Sequence, residues 1–179
     1  TDGVGFVDAV RGVVELDGAE VLVIGAGGAA HAIAIECARA GARDVGIAAR
    51  RSDAAARLAR LVTVETGAAG QVVDWSRPLL VPTSAQLVVN ATPVGMSPHD
   101  GDVVEVAWER IGPDTVVGDV VPKPADTRFL QAARSVGATT VDGREMLVNQ
   151  GAENIHIWTG LQPDLAVMRS ALDEALGLG

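Results

Sequence analysis

Four consecutive apolar residues, Val21-Leu22-Val23-Ile24, run without a spacer into Gly25-Ala26-Gly27-Gly28 and then into Ala29-Ala30-His31-Ala32-Ile33-Ala34. An uninterrupted apolar run of this length reads as a strand buried on both faces. Gly25 ends it in a tight turn, Gly27 and Gly28 leave room for another group against the backbone, and the alanines begin a helix. Strand, glycine turn and helix in this order form a dinucleotide-binding unit, here with the pattern Gly-x-Gly-x-x-Ala and Ala30 in the third slot. The helix N-terminus offers unpaired N–H groups and a positive dipole end to a pyrophosphate. The alternative is a glycine turn that serves only to let helix and strand pack closely.

The remaining chain alternates in the same way. Asp44 to Ala49 reads as a second strand, followed by Arg50-Arg51 and a helix from Asp53 to about Glu65 with Ser52 as its N-cap. Gln71 to Asp74 reads as a short strand and Trp75 to Thr83 as a loop with two prolines. Further strands are expected at 85–89, at 115–121 and at 138–141. Helices are expected from Ala29 to about Ala40, at 127–135, at 144–158 and at 163–176. The last has Leu165, Met168, Leu172 and Leu176 as its inner face, and the one before it has Met146, Leu147, Gln150, Asn154 and Trp158 near one face. An opening helix carries Val4, Phe6, Val7, Val10, Val13 and Val14, with Asp2 near its cap. The fold expected is α/β: a Rossmann-like, doubly wound, mostly parallel sheet with helices on both faces, in one domain over residues 1–179.

Where the second strand ends, an acid would hold the adenosine 2′-hydroxyl of NAD and an arginine would accommodate the 2′-phosphate of NADP. Arg50 and Arg51 stand there, about 22 residues past the glycine turn, so NADP is favoured. Both could instead be solvated, and Asp53 is the residue that would reverse the preference. The third strand runs into Asn90-Ala-Thr-Pro-Val-Gly-Met96, which puts Asn90 and Thr92 at the edge where strand ends line the ligand crevice. An Asx-type turn closing the strand is the competing explanation for Asn90.

Composition narrows the function. The net charge is −9 with no basic run, against nucleic acid or an anionic membrane as partner, and no apolar run approaches a membrane span. Tyrosine is absent, which removes any Tyr–Lys proton-donor pair, and Lys123 is the single lysine. The lone Cys37 excludes an internal disulfide, reads as a core thiol and fits a reducing, cytoplasmic setting. The three histidines are scattered, and no metal-ligand cluster or Ser-His-Asp set is evident. A chain beginning at Thr1 is expected to be a piece or a processed form of something longer.

Several blocks together resemble the C-terminal half of the shikimate/quinate dehydrogenase family. They are Thr1-Asp2-Gly3, Gly25-Ala-Gly-Gly28, Asn90 to Met96, Asp119-Val-Val with Thr127, Asp142-Gly143-x-x-Met146-Leu147-x-x-Gln150, and Trp158-Thr159-Gly160. The resemblance implies NADPH-dependent reduction of 3-dehydroshikimate to shikimate, in a cleft between this domain and an N-terminal substrate domain that the chain lacks. The helices at 144–158 and 163–176 would pack back toward that cleft. It further implies that Gly25, Ala26, Gly27, Gly28 and Ala29 cradle the pyrophosphate, and that Arg50, with Arg51 in support, meets the 2′-phosphate. Val120 and Gly143 would line the nicotinamide pocket, Gln150 would donate to a substrate hydroxyl, and Asp2 would match the catalytic aspartate. The partnering lysine belongs to the absent domain, and Lys123 does not fall at its position. The family's Asp-x-Val-Tyr-Asn-Pro is here Asp119-Val-Val-Pro122-Lys-Pro124, so a substrate-contacting tyrosine is replaced by Pro122. The family includes monomers and dimers, which leaves room for a homodimer. A quinate-type or otherwise altered substrate and a non-catalytic nucleotide-binding module are the alternatives.

Overall fold

The computed structural model describes residues 1–178. Its elements run α1 (Asp2–Val10), β1 (Glu20–Ile24), α2 (Gly28–Arg39), β2 (Asp44–Ala48), α3 (Ser52–Thr66), β3 (Ala69–Val73), β4 (Leu87–Asn90), β5 (Val116–Asp119), α4 (Arg128–Ser135), β6 (Thr139–Val141), α5 (Gly143–Thr159) and α6 (Leu165–Leu176), with a 3-10 turn at Trp108–Arg110 before β5. The six strands form one sheet in the order β3-β2-β1-β4-β5-β6, and every pairing is parallel. The doubly wound α/β expectation is thus met. Parallel strands need crossovers on the sheet faces, which explains why β1, β2, β4 and β5 are almost wholly buried and read as apolar runs.

Alternate residues of each strand feed two cores. Val21, Val23, Val45, Ile47, Leu87 and Val89 meet α1, α2, α3 and α5 through Phe6, Val10, Ile33, Leu58 and Met146. Leu22, Ile24, Val88 and Val117 face the other side, covered by Phe129 and Leu130 of α4 and by the irregular 74–86 and 91–115 segments through Leu79, Val81, Val104 and Ile111. Cys37 is buried in the first core, and burial pushes its thiol up to about 12, so it is an inert packing group.

Three glycines set how closely α1 and α5 approach their neighbours. A Cβ on Gly3 would lie 2.3 Å from the Ala32 carbonyl oxygen of α2, and one on Gly5 would lie 2.7 Å from the Gln150 nitrogen of α5. A Cβ on Gly143, at the start of α5, would meet the Val120 carbonyl at 2.6 Å. Helix α1 is therefore wedged between α2 and α5 with its backbone against theirs.

Four expectations about local structure are corrected. Helix α1 stops at Val10, because Arg11 is extended and Gly12 takes a positive φ, so Val13 lies outside it and is exposed. Ser52 is the first residue of α3 rather than its cap; Arg51 holds the N-cap position and gives no side-chain bond. Trp158 is 76% exposed at the end of α5, off the covered face. On α6, Met168, Leu172 and Leu176 are half-buried but Leu165 is exposed, and the helix is tied to α5 mainly by Arg169–Glu145 at 2.6 Å and Arg144–Asp173 at 2.9 Å. Periodicity finds an apolar face; it does not tell whether anything covers it.

Gly3 offers a test of the α1–α2 packing. In an ordinary helix Gly→Ala gains about 1 kcal/mol. Here the new methyl would strike a backbone carbonyl that cannot rotate away, at a cost of about 1–3 kcal/mol. Gly3→Ala is expected to lower stability in urea unfolding, whereas Gly112→Ala, whose Cβ meets nothing within 4 Å, is expected to be neutral or stabilising. Equal behaviour of the two variants would contradict the packing.

Candidate functional site

Sheet order reverses between β1 and β4, and the crevice at a parallel sheet's switch point lies beyond the strand C-termini. Gly25 leaves β1 there with a φ of +122°, where a Cβ would lie 2.9 Å from the Ala91 carbonyl oxygen, and its N–H donates to the Ala48 carbonyl at 2.7 Å. The turn is thereby pinned between β2 and the β4 exit. Gly27 is the N-cap of α2 and supplies no side-chain bond. Around Gly27 and Gly28 a Cβ would meet nothing within 4 Å, so the space before the first turn of α2 is open. His31 closes the back of the turn through Nδ1, 2.8 Å from the Gly27 carbonyl oxygen.

Helix α3 also begins without a side-chain cap. By contrast α4, α5 and α6 are capped by Thr127, Asp142 and Asp164. Of the three helices that start without a side-chain cap, α1, α2 and α3, the last two open on one cavity of about 510 Å³, lined by Gly25–Gly27, Ala49–Arg51 with Ala54, Trp75–Arg77, Ala91–Val94 and Val103–Glu105. First-turn amides without internal partners, together with the helix dipole, make such a cavity attractive to anions.

Arg50 and Arg51 line it, both exposed. Neither meets a carboxylate within 4 Å among the described residues. Asp53, the residue that could have opposed them, points along α3 to Arg57 at 2.7 Å, which holds its carboxyl below the usual range. It is absent from the cavity wall. Trp75, Ser76, Arg77 and the 103–105 segment complete the cavity and went unassigned in sequence reasoning, because they lie in irregular connections. The available signal was the position of Trp75–Arg77 immediately beyond a strand end.

Asn90 has a different role from the one expected. Its side chain is fully buried, and Nδ2 donates to Asp119 Oδ1 at 3.0 Å and to the Val94 carbonyl at 3.3 Å. Its Oδ1 accepts from the Thr92 N–H at 3.2 Å and from Thr92 Oγ1 at 2.7 Å. All four hydrogen-bonding positions of the amide are occupied within the protein, leaving none for a ligand. The Asx-turn explanation therefore holds: Asn90 shapes the 91–94 wall, and Thr92 lines the cavity. Asp119, at the end of β5, also accepts from the Val121 N–H at 3.1 Å and from Thr127 Oγ1 at 2.7 Å. Thr127 in turn caps α4 through the Leu130 N–H at 3.2 Å. One buried network thus fixes the exits of β4 and β5 and the start of α4.

The other expected residues sit around this edge rather than in the cavity. Gly28 and Ala29 begin α2 behind the turn. Half-buried Val120 follows β5, and buried Gly143 packs against it at the N-terminus of α5. Asp2 starts α1 and Gln150 lies on α5 beside Gly5; both are half-buried, and neither side chain is hydrogen-bonded among the described residues. Asn149 Nδ2 donates to the Gly5 carbonyl at 3.3 Å and locks the two helices in register. Among the described residues there is no group of three or more His, Cys, Asp or Glu side chains placed to hold a metal, and no helix is long and apolar enough to cross a membrane.

The family model for the shikimate 5'-dehydrogenase C-terminal domain matches residues 143–172. Over its full length the chain is 36% identical to a protein of Desulforamulus reducens named shikimate dehydrogenase (NADP(+)), of which it covers 63%. The ligand-free structure of 5-ketofructose reductase from a Gluconobacter species superposes on 98% of the chain with a TM-score of 0.92 at 40% identity, over 63% of that protein. Shikimate 5-dehydrogenase of Thermus thermophilus, solved with NADP(H) and shikimate, superposes on 98% of the chain with a TM-score of 0.79 at 33% identity, over 62% of that protein. The chain thus spans a little under two thirds of the length of these relatives.

The buried network predicts a pH dependence. Desolvation outweighs the three donated hydrogen bonds and pushes the Asp119 carboxyl up to about 6, from an ordinary value of 3.8. A folded-state value above the unfolded one means that folding favours the protonated acid. The resulting stabilisation is full below about pH 4 and is lost as pH rises through about 6, a change on the order of 3 kcal/mol. In urea unfolding across this window, Asp119→Asn is expected to gain stability relative to wild type as pH rises. A wild-type-to-variant difference independent of pH would contradict burial as the dominant influence.

Proposed function

We propose that the chain belongs to the shikimate dehydrogenase family, whose members it resembles over their C-terminal part, and that it is the NADP(H)-binding part of an oxidoreductase interconverting a ketone and a secondary alcohol. The observation that carries this is the uncapped turn at Gly25–Gly28, open in front and facing the same cavity as the unpaired Arg50 and Arg51 guanidiniums. The cavity suits a phosphorylated dinucleotide: bare amides for a diphosphate from Gly25, Ala26, Gly27, Gly28 and Ala29, and two unpaired cations one β-α unit later for a 2′-phosphate. Thr92 and the Asn90-braced wall border the second ribose, and Val120 and Gly143 border the nicotinamide. The bound coenzyme supplies a hydride to the carbonyl carbon.

The substrate side is carried by Asp2 and Gln150, two half-buried polar side chains without partners of their own among the described residues. Gln150 donates to a substrate hydroxyl. Asp2 orients the lysine ammonium that delivers the proton to the new alkoxide and stabilises its developing charge. No lysine in these 179 residues matches that partner, so by themselves they bind coenzyme and turn over little substrate. The first substrate pair is 3-dehydroshikimate and shikimate. A second polyhydroxy ketone is favoured by Pro122 standing where the family's tyrosine is, and by the likeness to 5-ketofructose reductase.

Calorimetric titration tests the coenzyme assignment. NADPH is expected to bind at least tenfold more tightly than NADH, and Arg50→Ala to erase most of that difference while leaving NADH within about twofold, as for loss of one charged hydrogen-bonding partner. Equal affinities in wild type, unchanged by the substitution, would contradict it. Substantial NADPH-dependent reduction by residues 1–179 alone would contradict the requirement for an external lysine.

A further inference from the structure

Seven of the chain's arginines hold a carboxylate within 4 Å: Arg11, Arg39, Arg43, Arg57, Arg134, Arg144 and Arg169. Among those that hold none, three line the one cavity described above: Arg50, Arg51 and Arg77. The third comes from a different part of the fold. Arg50 and Arg51 follow β2, whereas Arg77 follows β3, the edge strand beside it, with Ala48 and Val73 in register at the two strand ends. Arg77 thus reaches the cavity from the exit of a second strand, the edge strand next to the one that carries the arginine pair.

The segment carrying Arg77 is held in place. Ser76 Oγ donates to the Pro78 carbonyl at 2.7 Å and accepts from the Leu80 N–H at 3.2 Å. Leu79 is fully buried; its N–H donates to the Glu105 carbonyl at 2.7 Å, and its own carbonyl accepts from the Ala107 N–H at 2.9 Å. On the other side Trp75 packs against the second core. The Arg77 backbone is therefore tethered two residues away in both directions while its guanidinium stays exposed. Glu105 is the one acidic residue on the cavity wall, and it forms no ion pair with any of the three arginines among the described residues.

Three guanidiniums without a carboxylate partner line one opening, which makes it attractive to an anion. A diphosphate at the open α2 N-terminus would be met from β1, whereas Arg50, Arg51 and Arg77 follow β2 and β3, which suits them to a second, separate phosphate. We propose that Arg77 is a specificity-determining residue that binds the adenosine 2′-phosphate together with Arg50 and Arg51. This rests on the assignment of the cavity to NADP(H). Arg77 closes the phosphate between two strand exits, and it adds a charge-assisted bond that an unphosphorylated ribose cannot accept.

The test compares adenosine 2′,5′-bisphosphate with adenosine 5′-monophosphate by calorimetry on the 179-residue chain, in wild type, Arg77→Ala and Arg77→Lys. Circular dichroism and melting curves check folding. Wild type is expected to favour the bisphosphate. Arg77→Ala is expected to weaken the bisphosphate about tenfold while leaving the monophosphate within twofold. Arg77→Lys, which keeps the charge without the planar fork, is expected to recover part of the loss. Unchanged discrimination in Arg77→Ala would overturn the role of Arg77 and leave the coenzyme assignment standing. Equal weakening of both ligands would make Arg77 a purine or structural contact and overturn it also. A wild type that does not distinguish the two ligands would overturn the NADP(H) assignment itself, and this proposal with it.

Discussion

The amides at the first turn of α2 have no protein side chain to satisfy them, and the structure around them is arranged to keep it so. Gly27 in the cap position has nothing to fold back onto the helix. The starts of α4, α5 and α6 are closed, with Thr127, Asp142 and Asp164 each accepting from amides of the following turn, while α1 is left open away from the cavity lining. Leaving α2 and α3 open at the same cavity forgoes on the order of 1 kcal/mol per helix, the usual worth of a cap. A bound diphosphate and its neighbouring phosphate are the natural partners for what is left unpaired.

The scaffold holds that turn still from three directions. Gly25 is bonded to β2 and pressed against the β4 exit. The Asn90–Asp119–Thr127 network fixes the exits of β4 and β5 by buried hydrogen bonds with no unsatisfied side-chain atom among the described residues. Close backbone contacts at Gly3, Gly5 and Gly143 lay α1 and α5 along the same edge. Gly3, Gly5, Gly143 and the side chains of this network line no part of the cavity and act through the elements they position.

Much of this was legible in the sequence. The apolar runs of β1, β2, β4 and β5 read correctly because parallel strands buried on both faces leave no ambiguity of period. The strand–turn–helix at Gly25–Gly28 and the position of Arg50 and Arg51 beyond β2 were legible because these elements are contiguous, so their geometry is local. What failed was whatever depends on a distant partner. Asn90 stands at the crevice edge by its strand position, and the Asx turn to Thr92 was legible, but the bond to a carboxylate 29 residues later that completes its amide was not. Trp158 and Leu165 continue the apolar stripes of their helices past the part that is covered, and both are exposed. Arg77 sits in a segment without periodicity, and only the pairing of β3 with β2 places it beside Arg50 and Arg51.

The most direct measurement is the NADPH affinity and melting temperature of Gly27→Asp. A carboxylate at this N-cap would satisfy the open amides of α2 and favour its dipole, while a Cβ here meets nothing within 4 Å. The account predicts a protein that melts at or slightly above the wild-type temperature and has lost NADPH binding by about a hundredfold or more, since the site is both filled and negatively charged. A variant that folds as well as wild type and still binds NADPH with wild-type affinity would contradict it.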